Sequence, residues 1–123
     1  MNTATRTDPA NTTAPADPTA GVDPRTLKTF AEFYPYYLGE HRNRTCRRLH
    51  FVGSSLVLVC LAMLVATGRP GYIVYALLCG YGFAWIGHFV FEKNRPATFK
   101  RPLYSLIGDW AMYRDIWRGR IPF

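Results

Sequence analysis

Residues 49–68 read LHFVGSSLVLVCLAMLVATG and residues 70–91 read PGYIVYALLCGYGFAWIGHFVF, with Arg69 alone between them. The first run is 20 residues long and the second 22, and neither carries a formal charge. A helix crosses a hydrocarbon core of ~30 Å in about 20 apolar residues, so each run is long enough to span a bilayer. Gly68-Arg69-Pro70-Gly71 between them is a turn sequence. Two buried helices of a soluble bundle would need neighbours on every side, which a domain this small does not supply. The sequence therefore predicts an all-α integral membrane protein, a two-span helical hairpin with spans at about 50–67 and 72–91.

The flanks of the hairpin are basic. Arg42, Arg44, Arg47 and Arg48 precede the first span, and Lys93, Arg95, Lys100 and Arg101 follow the second. By the positive-inside rule both termini are cytoplasmic and the turn at Arg69 faces outward. The membrane would be a bacterial inner membrane or, in a eukaryote, the endoplasmic reticulum. The chain of 123 residues has a net charge of +7, and residues 25–123 hold 14 Lys+Arg against 5 Asp+Glu, a net of +9. Arginines bordering membrane spans are explained by an anionic leaflet, not by nucleic acid.

Residues 1–24 contain four prolines and no aromatic, Leu or Ile, a composition that cannot offset the entropy of ordering. They read as a disordered tail without the apolar stretch of a secretory signal, leaving 25–123 as a single helical membrane domain. Asp23-Pro24 offers an N-cap followed by proline at the first helical position. Leu27, Phe30, Tyr34 and Tyr37 then recur at helical spacing, with Pro35 expected to kink or split the segment. Beyond the second span, Leu103, Leu106, Ile107, Trp110, Tyr113 and Trp117 share one face of an amphipathic interfacial helix. Amphipathic helices thus flank the hairpin on both sides. Cys60 and Cys79 read as small packing residues, and nothing near Cys46 marks it as a nucleophile.

The histidines carry the chemistry. Counting from a turn centred between Arg69 and Pro70, His50 lies 19.5 residues before it and His88 18.5 after it. At about 1.5 Å of rise per residue the two imidazoles come to one depth, at the basic end of the hairpin. Gly80, Ala84 and Gly87 form a small-residue ridge on the second span, and Gly53 and Ser54 lie one turn beyond His50, so the helices can approach closely there. Glu92 is four residues past His88, on the same helical face. His41 precedes His50 by nine residues, which on one continuous helix puts it on the opposite face. It joins the others only if the first-span helix begins after it, so that the preceding segment folds His41 back over the mouth of the hairpin. His41, His50, His88 and Glu92 are the candidate metal ligands, a set that suits Fe(II) or Zn(II). Each histidine taken singly also reads as an interfacial aromatic with a satisfied hydrogen bond. Asn43 and Asp109 are candidates for orienting a histidine from outside the ligand set, although Asp109 reads more readily as a solvated or Arg-paired carboxylate.

Two stretches, FYPYYLGEHRNRTCRRLHFVG at 33–53 and FAWIGHFVFEKNRPATFKRPLYSLIGDW at 83–110, resemble the small membrane family of 2-hydroxy fatty acid dioxygenases, once a domain of unknown function. The likeness runs from about Phe30 to Trp117 and is most specific around Gly87-His88, Phe91-Glu92 and Pro96-Ala97. The resemblance implies an Fe(II)-dependent enzyme that shortens 2-hydroxy fatty acids by one carbon through α-oxidation, at the cytoplasmic membrane face. It also implies His41, His50 and His88 as the iron ligands. Arg44, Arg47 and Arg48, with Arg42, would then hold the lipid carboxylate at headgroup level. The partners expected are the lipid substrate and the membrane, without nucleic acid. Eukaryotic members have further hydrophobic segments, so a second subunit completing the pocket, a homo-oligomer, is compatible with this shorter chain. The competing function class is a non-enzymatic membrane scaffold.

Overall fold

The computed structural model describes residues 19–123, and among them every regular element is helical. Four helices carry the fold: α1 (Phe30–Gly39), α2 (Arg44–Thr67), α3 (Gly71–Ile86) and α4 (Pro102–Trp117). Short 3₁₀ turns stand at Pro24–Thr26 and Ala97–Phe99, and α3 continues into a wider, π-helical turn at Gly87–Glu92.

α2 and α3 are the predicted hairpin. α2, and α3 together with its π-helical continuation to Glu92, are each long and apolar enough to cross a membrane, with only 11% and 17% of the most apolar windows buried inside the fold. Val65 is 87% exposed and Leu78 65%. These are not the core helices of a soluble bundle, because their apolar side chains point outward, where lipid would cover them. Gly68 ends α2 in the left-handed conformation, its N–H bonded to the Leu64 carbonyl, and α3 starts at the next glycine. The close approach predicted from the small residues is present. A Cβ on Gly53 would stand 2.9 Å from the Cys79 carbonyl oxygen of α3, and one on Gly87 would stand 2.9 Å from Cys46 Sγ of α2.

α2 starts well before the apolar run, at Arg44, because Asn43 caps it: its Oδ1 accepts from the N–H groups of Thr45 (2.9 Å) and Cys46 (3.2 Å). The chain therefore bends between α1 and α2, at residues 40–43, as the placement of His41 required. Pro35 does not split α1, which runs through it from Phe30 to Gly39. The helix is short, and its Phe33 and Tyr37 are anchored in a core with Met112 and Ile116 of α4, which outweighs one lost hydrogen bond.

The predicted tail lies outside the described residues up to residue 18. Residues 19–24, also assigned to it, are anchored at both ends: Thr19 sits against Gly39, Pro24 is buried, and the Pro24 carbonyl accepts from Arg101. Asp23 caps the first turn as predicted, although that turn is 3₁₀ and only three residues long.

α4 packs along α1 and α2 with an orientation that apolar periodicity could not show. Its inner face is Ser105, Gly108, Met112 and Asp115, whereas the large apolar residues Leu103 (66% exposed) and Trp117 (68%) face outward. Leu103, Leu106 and Ile107 of the apolar stripe face outward, whereas Tyr113 turns to α2, its hydroxyl 3.0 Å from Ser55 Oγ, and Ser105 and Gly108 turn inward.

Candidate metal centre

The bend at 40–43 and the pairing of α2 with α3 bring all three histidines together. Their ring centroids are 4.5 Å (His41–His50), 4.5 Å (His41–His88) and 5.0 Å (His50–His88) apart. His41 and His88 are 2% exposed and His50 5%. The equal-depth arithmetic for His50 and His88 holds, and so does the prediction that α2 begins after His41.

Each imidazole is held from outside through Nδ1. His41 Nδ1 is 2.7 Å from the Tyr37 carbonyl oxygen and His50 Nδ1 is 2.9 Å from that of Cys46. A carbonyl only accepts, so both Nδ1 atoms carry the proton. His88 Nδ1 is 2.7 Å from Asn94 Oδ1, while Asn94 Nδ2 donates to the Glu40 carbonyl (3.0 Å) and to Glu40 Oε2 (2.7 Å). That fixes the Asn94 oxygen as an acceptor, so His88 is also protonated at Nδ1.

The consequence is electrostatic. A neutral imidazole protonated at Nδ1 bears a lone pair at Nε2, yet His41 Nε2 and His50 Nε2 are only 3.1 Å apart. Two lone pairs at that distance repel unless a cation lies between or beside them. A proton is a poor candidate, because burial, with His50 and His88 adding to it, pushes the His41 imidazole well below the ordinary histidine range. A metal ion resolves the conflict. Both nitrogens can reach one ion at the roughly 2.1 Å length of a metal–imidazole bond. Outward Nδ1–H bonds that leave Nε2 turned inward are the arrangement by which proteins orient metal-binding histidines.

Cys46 is the fourth member of this group: one ligand atom each from His41, Cys46, His50 and His88 lies within 4.8 Å of the others. Its Sγ sits 3.7 Å from His50 Nδ1, the nitrogen already bonded to the Cys46 carbonyl, so it borders the imidazole triad on the outer side. Nothing in the sequence pointed to it. Asn94 was also missed, because an asparagine in a polar, proline-broken loop reads as a turn residue. Left-handed Lys93 ends the π turn and lets the Asn94 N–H bond the His88 carbonyl (3.1 Å) while its side chain holds the ring.

The other predicted site residues fall elsewhere. Glu92 does not join the histidines: its carboxylate accepts from the Asn43 N–H, at the amide-rich start of α2, where a negative charge is favoured. Asn43 is the helix cap and bonds no histidine. Arg44 donates to the Phe123 backbone oxygen (2.6 Å), and Arg48 lies 5.0 Å over the Phe123 ring. Arg47 donates to the carbonyls of His41 (3.1 Å), Arg42 (2.8 Å) and Pro122 (3.2 Å). These arginines tie the bend and the C-terminal segment to α2, and none lines the cavity at the histidines. Asp109 is half-buried, and its hydrogen-bond partner is a tyrosine, not an arginine. It accepts from the Tyr37 hydroxyl, and the Tyr37 ring stacks on His41 at 4.1 Å. Gly108 permits this, since a Cβ there would come 2.8 Å from the Tyr37 ring. Asp109 thus supports His41 through Tyr37, and burial raises its carboxyl to about 6.

Beside the triad is a cavity of about 20 Å³, walled by the three imidazoles and by Tyr37, Ser105 and Asp109. That is room for a water-sized molecule. His50, Tyr81, Ala84 and Asp109 also border a second cleft of about 370 Å³, which runs between α2, α3 and α4 past Val57 and Leu61 to Ile73. From His50 to Leu61 is about 16 Å along the helix axis. The cleft is almost wholly apolar except at its histidine end.

Residues 27–121 match the model of the family described as 2-hydroxy-palmitic acid dioxygenase Mpo1-like. The chain belongs to this family. The match takes in both spans, the bend, the three histidines, Asn94 and α4, so it covers every part of the site described above. No curated protein sequence and no solved structure matches the chain. The family's description points to a dioxygenase, and the buried histidine–cysteine group is a place where such an enzyme could bind a metal.

Proposed function

We propose that the protein is an Fe(II)-dependent dioxygenase that removes one carbon from long-chain 2-hydroxy fatty acids at the membrane surface. The observation that carries this reading is the inward-facing nitrogen set of His41, His50 and His88, each ring oriented by an Nδ1 bond and two of them 3.1 Å apart. Iron held by these residues would supply the redox chemistry that O₂ requires.

The rest is the chain's own contribution. Tyr37, Cys46 and Asn94 fix the imidazole tautomers, so the site is ready to bind a cation without losing protons from the rings. Burial of the triad excludes bulk water from the reacting atoms. The cleft between α2, α3 and α4 offers an apolar path for an acyl chain and opens among side chains that face lipid, so a substrate would enter from the bilayer. A 2-hydroxy acid presents a carboxylate and an adjacent hydroxyl at one end of a long apolar tail, which matches a polar cavity opening into an apolar cleft. The balance closes with O₂: the C1–C2 bond breaks, C1 leaves as CO₂, C2 becomes the new carboxyl with an oxygen from O₂, and one water forms per O₂ consumed. By the positive-inside rule the basic end of the hairpin, and with it the site and both termini, faces the cytoplasm.

The test is incubation of purified protein with 2-hydroxyhexadecanoic acid, Fe(II) and O₂, with acid products analysed by mass spectrometry. The expected product is the acid one carbon shorter, labelled from ¹⁸O₂ and absent when iron is chelated. Unchanged substrate with iron-loaded protein would leave a metal-binding membrane protein without this activity.

A further inference from the structure

We propose that Ser105 and Asp109, one turn apart on α4, form the subsite that distinguishes a 2-hydroxylated lipid acid from an unsubstituted one. The inference rests on the function proposed above and adds the residues that select its substrate. Its first support is the Ser105 hydroxyl. This side chain is 3% exposed, lines the cavity at the histidines, and has no hydrogen-bond partner. A buried serine in a helix ordinarily bonds the carbonyl four residues earlier. Ser55 does so with Phe51 (2.9 Å) and Thr67 with Met63 (2.7 Å). Ser105 does not, and an unpartnered buried hydroxyl facing a cavity points to a ligand that completes it.

The second support is Asp109, placed where the small cavity meets the long cleft, which both take it as wall. Tyr37 donates to one of its oxygens, which leaves further acceptor capacity at the junction. A lipid acid with its tail in the cleft must pass its first carbons by this carboxylate. A 2-hydroxyl there donates to Asp109, and the neighbouring carboxylate accepts from Ser105. An unsubstituted acid offers Asp109 no donor, so the carboxylate loses that hydrogen bond. Sites built to hydrogen-bond a hydroxyl reject the analogue lacking it, because their own polar groups are left unpaired.

The experiment uses full-length protein in lipid nanodiscs, loaded with Zn(II) so that no turnover occurs. It measures binding of 2-hydroxyhexadecanoic and hexadecanoic acids to wild type, Asp109→Asn and Ser105→Ala. Asparagine keeps an acceptor for Tyr37, and zinc content checks that the triad is intact. Wild type is expected to prefer the hydroxylated acid, and Asp109→Asn to lose about 10-fold or more of that preference. Ser105→Ala is expected to weaken binding of both acids about 3-fold or more while raising the thermal midpoint of the ligand-free protein, since it removes an unpartnered buried hydroxyl. A purely structural serine would not move binding and stability in opposite directions. If wild type prefers the hydroxylated acid and both variants keep its ratio and affinities, the subsite is overturned and the proposed function stands. If wild type shows no preference, the substrate reading falls and the subsite falls with it.

Discussion

Three imidazoles that share their inward faces must be neutral to do so, and His41 shows how. Its burial, reinforced by His50 and His88, keeps the ring unprotonated well below the ordinary histidine value of 6.5. The unfolded chain takes up that proton near pH 6.5, so below this pH the folded state binds fewer protons and loses stability as pH falls. Metal-free protein in detergent should therefore show a thermal midpoint that declines between about pH 7 and pH 5. The decline should be shallower in His41→Phe, and equal slopes in the two proteins would contradict the assignment. Asn94 is the partner whose removal should act on the metal alone. Asn94→Ala is expected to weaken iron binding by about 10- to 100-fold in a chelator competition, since His88 loses the bond that orients it. Undiminished affinity would mean that the Asn94 contact is incidental. Glu92→Ala should leave metal content unchanged and cost about 1 kcal/mol in thermal unfolding, because its carboxylate serves the start of α2. At this scale His50 and His88 were legible from depth arithmetic, and His41 only on the condition that the helix break before the first span. Glu92 was not, because i,i+4 spacing states which face a residue shares and says nothing of a competing amide on another helix. The arginines were misplaced for a similar reason, since sequence shows that they flank the span without showing the C-terminal segment that engages them.

The helices succeed or fail by how closely they approach. Gly87 sets the end of α3 against Cys46 of α2, and that contact holds His88 beside His50. Gly87→Val would force these backbones apart. The expected result is a lower thermal midpoint together with reduced metal content, whereas Gly82→Ala, at a position with open space around it, should change neither. Equal effects of the two substitutions would remove close approach as the device that builds the site. Hydrophobic runs, turn residues and small-residue spacing made the hairpin readable. The π-helical turn at Gly87–Glu92 left no such signal, because it depends on how the chain exits toward Asn94 and not on composition. The inner face of α4 was unreadable for the opposite reason. Leu103, Leu106 and Ile107 face out, and the α4 residues that approach the site are Ser105 and Asp109, polar ones that apolar periodicity ignores.

For the molecule as a whole, a helical hairpin carries its chemistry at one end, with α1 and α4 covering the mouth. The asymmetry of basic residues about that end predicts its orientation. Reporter fusions at residue 24 and at the C-terminus should report the cytoplasmic side, and a reporter at Arg69 the opposite side. A cytoplasmic Arg69 would place the triad on the far face and reverse the proposed access for substrate. The central claim, that the three histidines are a metal centre, is tested most directly by iron analysis of protein purified without oxygen. Wild type should hold iron in stoichiometric amount, and His41→Ala, His50→Ala and His88→Ala should each lose most of it while still inserting into membranes. Iron absent from wild type, or retained in all three variants, would contradict the account.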